Sequence, residues 1–404
     1  MAILRNINVA RKYKVNPATV GNWIDQAKSG RIDLELTSVR GRTYLEDTEH
    51  NHLELQRLKE QGVKFRAKNL NTVVKITPDP KIYEVFNEKQ IISLITNIQE
   101  YNTIPVKFSY NEEGAKYYYQ AIQAEIKISG TNTFLEEKTL NYYVKNFIHS
   151  LMKQGKKINL VEIGPDYSAH LIKDVIDYLQ ENKALNKYIS IGMSEEMYKI
   201  RKKNLLETHG ILPIKYIRDI EEELIRDILY LEKMEDSNVV NVCLYLNSAI
   251  TNVKNINHLL GNFTESMIGD DRLIINTLLA DITKKDFVSK KLNIDVRNNR
   301  HKWLIQMLGL EKSITIEAIE VIPVLGSRRV NLILDKTVEI EFLIQNKKFT
   351  LKLEQDQKIN IFFSKKLLLE DFSPMFVSSN LILEQYNLLS ETNNGTFFLK
   401  KLTR

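Results

Sequence analysis

Apolar positions along the chain repeat with two different periods. Near the N-terminus Val20, Trp23, Ile24 and Ala27 recur at i, i+3, i+4 and i+7, one face of a helix. Asn16 is a good helix cap and Pro17 a good first helical residue. A shorter helix fits residues 9–13, and Ser29-Gly30 ends the second helix. Extended stretches on either side of Arg40-Gly41-Arg42 read as two strands and a turn, followed by a helix over about residues 47–61. From about Lys157 onward, strand-type runs alternate with amphipathic ones. "INLVEIG", "YISIGMS", "PIKYIRD", "VVNVCLYLN" and "RLIINTLLAD" predict strands. The stretches between them predict helices over residues 168–181, 195–208 and 221–234, the first burying Leu171, Ile172, Val175, Ile176 and Leu179. Such alternation predicts an α/β parallel sheet with helices on both faces, whose ligands lie beyond the carboxyl ends of the strands. The crevice so predicted collects Glu162-Ile163-Gly164, Gly192-Met193-Ser194, Arg218-Asp219-Ile220 and residues 247–252.

A chain of 404 residues suggests two or three domains. "TPDPK" interrupts any helix, and residues 63–90 read as a connector between a unit at 1–62 and a larger one at 91–404. No apolar run is long enough to span a bilayer, and the basic N-terminal residues sit inside a helical pattern rather than ahead of an apolar block. The single Cys243 rules out an internal disulfide and fits a reducing, cytoplasmic setting, and its apolar run makes it a buried structural thiol. Charge is unevenly placed. Residues 1–75 hold 14 Lys/Arg and 8 Asp/Glu, a balance of +6, which is also the balance of the whole chain. A basic first segment on a neutral body points to a polyanionic partner. His50 and His52 lie two apart on a predicted helix, facing different directions, so no metal site is expected there.

Two short helices, a basic strand-turn-strand and a third helix resemble the winged helix-turn-helix of the excisionase and MerR type. The resemblance implies that the second helix enters the major groove of DNA, that the protein pairs as a homodimer to read two half-sites, and that the wing tip meets phosphate. Thr19, Asn22, Gln26 and Lys28, off the buried stripe, are the candidate contacts on the helix, and Arg40 and Arg42 those on the wing.

The body resembles a second family. "FSYNEEGAKYYYQAI", "VEIGPDYSAHLIKDVIDYL", "ISIGMSEEM", "RDIE", "LNSAITN", "GDDRLIINTLLAD" and "KINIFFSKK" are similar, in that order, to the successive motifs of the histidine-specific N-alpha-methyltransferases. The resemblance implies a Rossmann-like class I methyltransferase core at about 145–285. It also implies an additional α+β lobe at about 91–144 and 300–404, S-adenosylmethionine as cofactor, and a small-molecule methyl acceptor. Carried over by position, the cofactor-binding set is Glu162, Gly164, Asp166, Ser168, Ser194, Asp219, Ile220 and Asn247. The substrate-binding set is Tyr110, Asn252, Phe362 and Ser364. The helix after the Gly164 loop would receive the cofactor's carboxylate on its N-terminal amides.

The departures from that family have consequences. Gly192 replaces the acid that normally follows the second strand, a charged partner worth about 1.5–3 kcal/mol. Asp166 and Ser168 stand where further glycines are usual, and both also suit a helix start. Phe362 replaces a glutamate beside the acceptor, which argues against histidine as substrate and for another amine or amino-acid derivative. No general base is identified. The alternative expectation is a transcriptional regulator whose methyltransferase-like body senses S-adenosylmethionine or another small molecule.

Overall fold

In the computed structural model the chain forms two compact units, Met1–Thr72 and Val73–Arg404. The structure describes residues 3–402 apart from 5, 16, 30–31, 40–41, 61–72, 130, 165–168, 235–237, 281–293 and 323–326.

The first unit runs β1 (Ile3–Leu4), α1 (Asn6–Tyr13), α2 (Pro17–Lys28), β2 (Leu36–Val39), β3 (Arg42–Glu46) and α3 (Glu49–Glu60). Its core is the predicted stripe: Val20, Trp23 and Ile24 of α2 pack with Val9, Ala10 and Tyr13 of α1 and with Leu45, Leu55 and Leu58. Helix α1 begins three residues earlier than its apolar pattern predicts. It ends at left-handed Lys14, with the Val15 N–H donating to the Ala10 carbonyl at 3.0 Å. Strands β2 and β3 form the expected hairpin, and β1 adds a third strand that its two residues did not announce. Asn51, fully buried, holds this sheet to α3 by accepting from the Glu35 N–H (2.8 Å) and donating to the Glu35 and Glu46 carbonyls (2.8 and 2.9 Å).

The second unit continues with β4 (Val74–Ile76), α4 (Ile82–Val85), α5 (Glu88–Tyr101), α6 (Glu112–Ser129), α7 (Thr131–Met152), β5 (Lys157–Ile163), α8 (Lys173–Glu181), β6 (Leu185–Gly192), α9 (Glu195–His209), β7 (Ile214–Ile217), α10 (Arg226–Leu231), β8 (Val239–Tyr245), α11 (Ile256–Ser266) and β9 (Arg272–Leu278). After these come α12 (Ile294–Met307), β10 (Ile314–Ile322), β11 (Ser327–Leu334), β12 (Val338–Ile344), β13 (Lys347–Leu353), β14 (Lys358–Lys365), α13 (Leu369–Ser378), β15 (Leu381–Leu389) and β16 (Asn394–Lys401). A seven-stranded sheet has the order β15-β16-β9-β8-β5-β6-β7. Strands β5 to β9 are parallel, and β16 inserts antiparallel between β9 and β15. The parallel part is a doubly wound, Rossmann-like sheet whose order reverses between β5 and β8.

Successive side chains serve opposite faces. Val240, Val242 and Leu244 of β8 join the layer under α7, α8 and α9, whereas Cys243 and Tyr245 join the layer under α10, α11 and α13. That double burial is why these strands read as unbroken apolar runs. Burial raises the Cys243 thiol well above its ordinary pKa, as suits an inert core residue.

The accessory lobe is drawn differently from the sequence expectation. It is built from residues 73–110 and 294–365, as two small sheets, β10-β11-β14 and β13-β12-β4, around one apolar core. The segment expected to be a connector ends at Thr72, because β4 pairs in parallel with β12 and Ile82 and Phe86 are buried in that core. Helix α7 belongs to the main sheet, and so does the hairpin β15-β16.

Candidate functional site

The switch point between β5 and β8 opens a cleft beyond the carboxyl ends of the strands. It is partly open to solvent. Gly164 after β5, Gly192 at the end of β6, Asp219 and Ile220 after β7, Tyr245 at the end of β8 and Asn252 after it all line it. Val106, Lys107 and Tyr110, in the 3-10 turn Val106–Tyr110 leading out of the accessory lobe, line it too.

Each loop is shaped locally. Gly164 has φ +115°, a conformation that favours glycine, and an added Cβ would meet the Tyr245 ring at 3.5 Å. After β8, Asn247 and Ser248 are consecutive left-handed non-glycine residues (φ 55° and 57°). The Ser248 hydroxyl accepts from the Leu278 N–H at 2.9 Å, tying the loop to β9. A 3-10 turn, Ala249–Asn252, follows and brings Ala249 and Asn252 to the cleft.

The expected cofactor residues fare unequally. Gly164, Asp219 and Ile220 share the cleft. Glu162 does not line it: its carboxylate is fully buried, accepts from the Tyr188 hydroxyl at 2.6 Å and pairs with Arg201 Nε at 2.8 Å. Ser194 caps α9, accepting from the Met197 N–H at 3.1 Å and donating to the Tyr110 carbonyl at 2.5 Å. Asn247 is exposed and outside the cleft. Asp166 and Ser168 lie outside the described residues. The expected helix start at that loop is displaced. A 3-10 turn, Ala169–Ile172, precedes α8, whose first residue is Lys173 and whose cap carries no side-chain bond.

Of the expected substrate residues, Tyr110 and Asn252 line the cleft. Ser364 sits on β14 with its hydroxyl 3.3 Å from that of Thr251, the neighbour of Asn252. Phe362 instead packs against the accessory core. In the first unit Thr19, Asn22 and Gln26 are partly exposed on α2, and Lys28 is exposed, 3.4 Å from Asp25. Arg42 is on β3, and Arg40 lies outside the described residues.

Three charged residues were missed. The "RKK" run on α9 reads as a solvated face, yet Arg201 is 2% exposed. Its guanidinium meets Glu162 and Ser190 and donates to the Gly164 carbonyl at 3.1 Å. Lys107, also buried, puts its ammonium 2.6 Å from both Asp219 Oδ2 and Glu222 Oε1. Burial alone would lower its pKa, but the charges of Asp219 and Glu221 prevail and raise it. Glu221 is the third. Desolvation pushes its carboxyl up to about 7, opposed by Lys107 and assisted by Asp219 and Glu222. No local sequence pattern marks these three, because each acquires its role from a partner at least 30 residues away or from depth alone.

No family model and no curated protein matches the chain. Among solved structures it is similar to an S-adenosylmethionine-dependent methyltransferase from Clostridium acetobutylicum, at 8% identity over 71% of this chain and 99% of that one, with a TM-score of 0.38. It is also similar to DesVI of Streptomyces venezuelae, at 10% identity over 70% and 98%, TM-score 0.37. A third likeness is to magnesium protoporphyrin IX methyltransferase of Synechocystis, with bound S-adenosylhomocysteine, at 10% identity over 73% and 97%, TM-score 0.36. Likenesses at this level assign no activity to the chain. The strand order and the cleft stand on the chain's own topology.

Proposed function

We propose that the chain is an S-adenosylmethionine-dependent methyltransferase acting on a small amine or amino-acid derivative, with a winged helix-turn-helix at its N-terminus. One observation carries the first half: Gly164 and Asp219 line a single cleft at the switch point of a doubly wound sheet. The residues present fit the cofactor. A glycine at 164 lets the backbone approach a ligand closely. Ile191 and Ile220 give apolar walls to the end of the cleft where a base would lie.

Bound there, the cofactor would supply an electrophilic methyl group on sulfur. The chain's own contribution is alignment. Tyr110 and Asn252, with Ser364 behind Thr251, offer polar groups to an acceptor near β5 and β8, while Tyr245 and Ala249 keep that end apolar. Alignment in a dry site can provide about 7–11 kcal/mol of a barrier. Gly192 and the engaged Asp219 favour the second reading, a sensor that holds the cofactor without using it.

For the first unit, the basic balance of residues 1–75 and the polar, accessible face of α2 support DNA binding through Thr19, Asn22, Gln26 and Lys28, with Arg40 and Arg42 on the wing and two copies per site.

The deciding experiment supplies methyl-labelled cofactor and a cell extract to the full chain. Label in a small-molecule product supports the enzyme. Intact cofactor retained without product supports the sensor, and failure to retain any label contradicts both.

A further inference from the structure

We infer that Glu221, rather than Asp219, is the acid that accepts an N–H donor from a nucleoside bound in the cleft. The inference rests on the cofactor reading above and refines its specificity.

The sequence singles out Asp219, but the structure engages both of its oxygens. Oδ2 takes the Lys107 ammonium at 2.6 Å and Oδ1 takes the Glu221 N–H at 3.1 Å. Glu222 is engaged as well, by Lys107 at 2.6 Å and by the Ser93 hydroxyl at 3.0 Å. The Glu221 carboxyl lines the cleft and has no hydrogen-bond partner among the described residues. The neighbouring cation Arg218 is turned to Glu223 and Asp227. A half-buried carboxyl at the cleft without a protein donor is open to a donor on a ligand.

Position fixes which donor. Residues 219–221 follow β7, two strands from β5, or about 10 Å across the sheet. The acceptor residue Asn252 belongs with the other end, since it follows β8 on the far side of β5. Glu221 therefore faces the base end, beside the apolar Ile191 and Ile220. An exocyclic amine, as on adenine, is the donor of that shape and polarity.

The groups facing Glu221 are Lys107 from the 3-10 turn and Asp219 and Glu222 from its own loop. Among them Glu221 is the one whose carboxyl moves up to about 7. If ionised Glu221 is the acceptor, affinity follows its ionised fraction, which grows about tenfold between pH 6 and pH 8.

The test is calorimetric titration of the full chain with S-adenosylhomocysteine at pH 6, 7 and 8, using wild type and Glu221→Gln, with circular dichroism to verify folding. Wild-type affinity should rise about tenfold over this range. Glu221→Gln should be flat in pH and several-fold weaker at pH 8. The analogue with a 6-oxo group in place of the amine should bind wild type as weakly as the variant binds the parent compound. A wild type flat in pH, or a variant retaining full affinity and the pH dependence, overturns this inference while leaving the cofactor reading intact. Absence of binding by wild type at every pH overturns the cofactor reading itself, and this inference with it.

Discussion

The Gly164 carbonyl oxygen lies 3.0 Å from the point where a Cβ on Gly192 would stand. The Gly164 N–H also donates to the Ile191 carbonyl at 3.0 Å, so the loop after β5 is drawn onto the end of β6. A side chain at 192 would therefore crowd the Gly164 carbonyl and press the two loops apart. Gly192→Asp should destabilise the fold by about 1–3 kcal/mol, the usual cost of overpacking, and weaken S-adenosylhomocysteine binding. Urea unfolding and calorimetry measure both. Tighter binding by the variant would contradict the packing argument.

Arg201 and Glu162 form a buried pair that also holds the Gly164 carbonyl. Removing one partner leaves an uncompensated buried charge, so Arg201→Met should cost about 3–5 kcal/mol. Pairing it with Glu162→Leu should recover much of that loss. Equal destabilisation by the single and double variants, read from urea midpoints, would count against the pair.

Glu221 makes stability depend on pH. Its folded carboxyl, up to about 7, lies above its ordinary 4.5, so the folded state binds the extra proton between these values. Stability contributed by that proton is present near pH 4.5 and lost as pH rises through 7. Glu221→Gln, which carries no charge to bury, should raise the melting temperature relative to wild type at pH 8 and leave it nearly unchanged at pH 4.5. A melting difference independent of pH would contradict the assignment.

Much of the fold was legible because the physics that sets it is local. The alternation of apolar runs and amphipathic stretches specifies β5 to β9, since strands buried on both faces must be apolar at every position. That Gly164 and Asp219 share one cleft was legible for a related reason: both follow the carboxyl ends of parallel strands. The accessory lobe was drawn wrongly because β4 finds β12 more than 250 residues away, and β16 returns to pair with β9 across more than 110 residues, carrying β15 with it. Arg201 and Lys107 were misread or missed because a charged residue on a helix or turn looks the same whether it meets water or a buried carboxylate. Glu162 looked like a ligand contact, yet it serves Arg201 and Tyr188.

For the first unit, the account predicts salt-sensitive DNA retention that disappears on deletion of residues 1–72 and leaves cofactor affinity unchanged. Lys28→Ala should lower the slope of log affinity against log salt by about 1, and Asn22→Ala should relax sequence preference. Retention that survives the deletion would place DNA binding elsewhere or nowhere.

The most direct test of the central claim is a crystal of the full chain soaked with S-adenosylhomocysteine. The account predicts density for the nucleoside between Gly164 and Asp219, its base toward Glu221 and its sulfur toward Asn252. A cleft closed by the Lys107 and Met193 side chains at saturating ligand, with no nucleoside density, would contradict it.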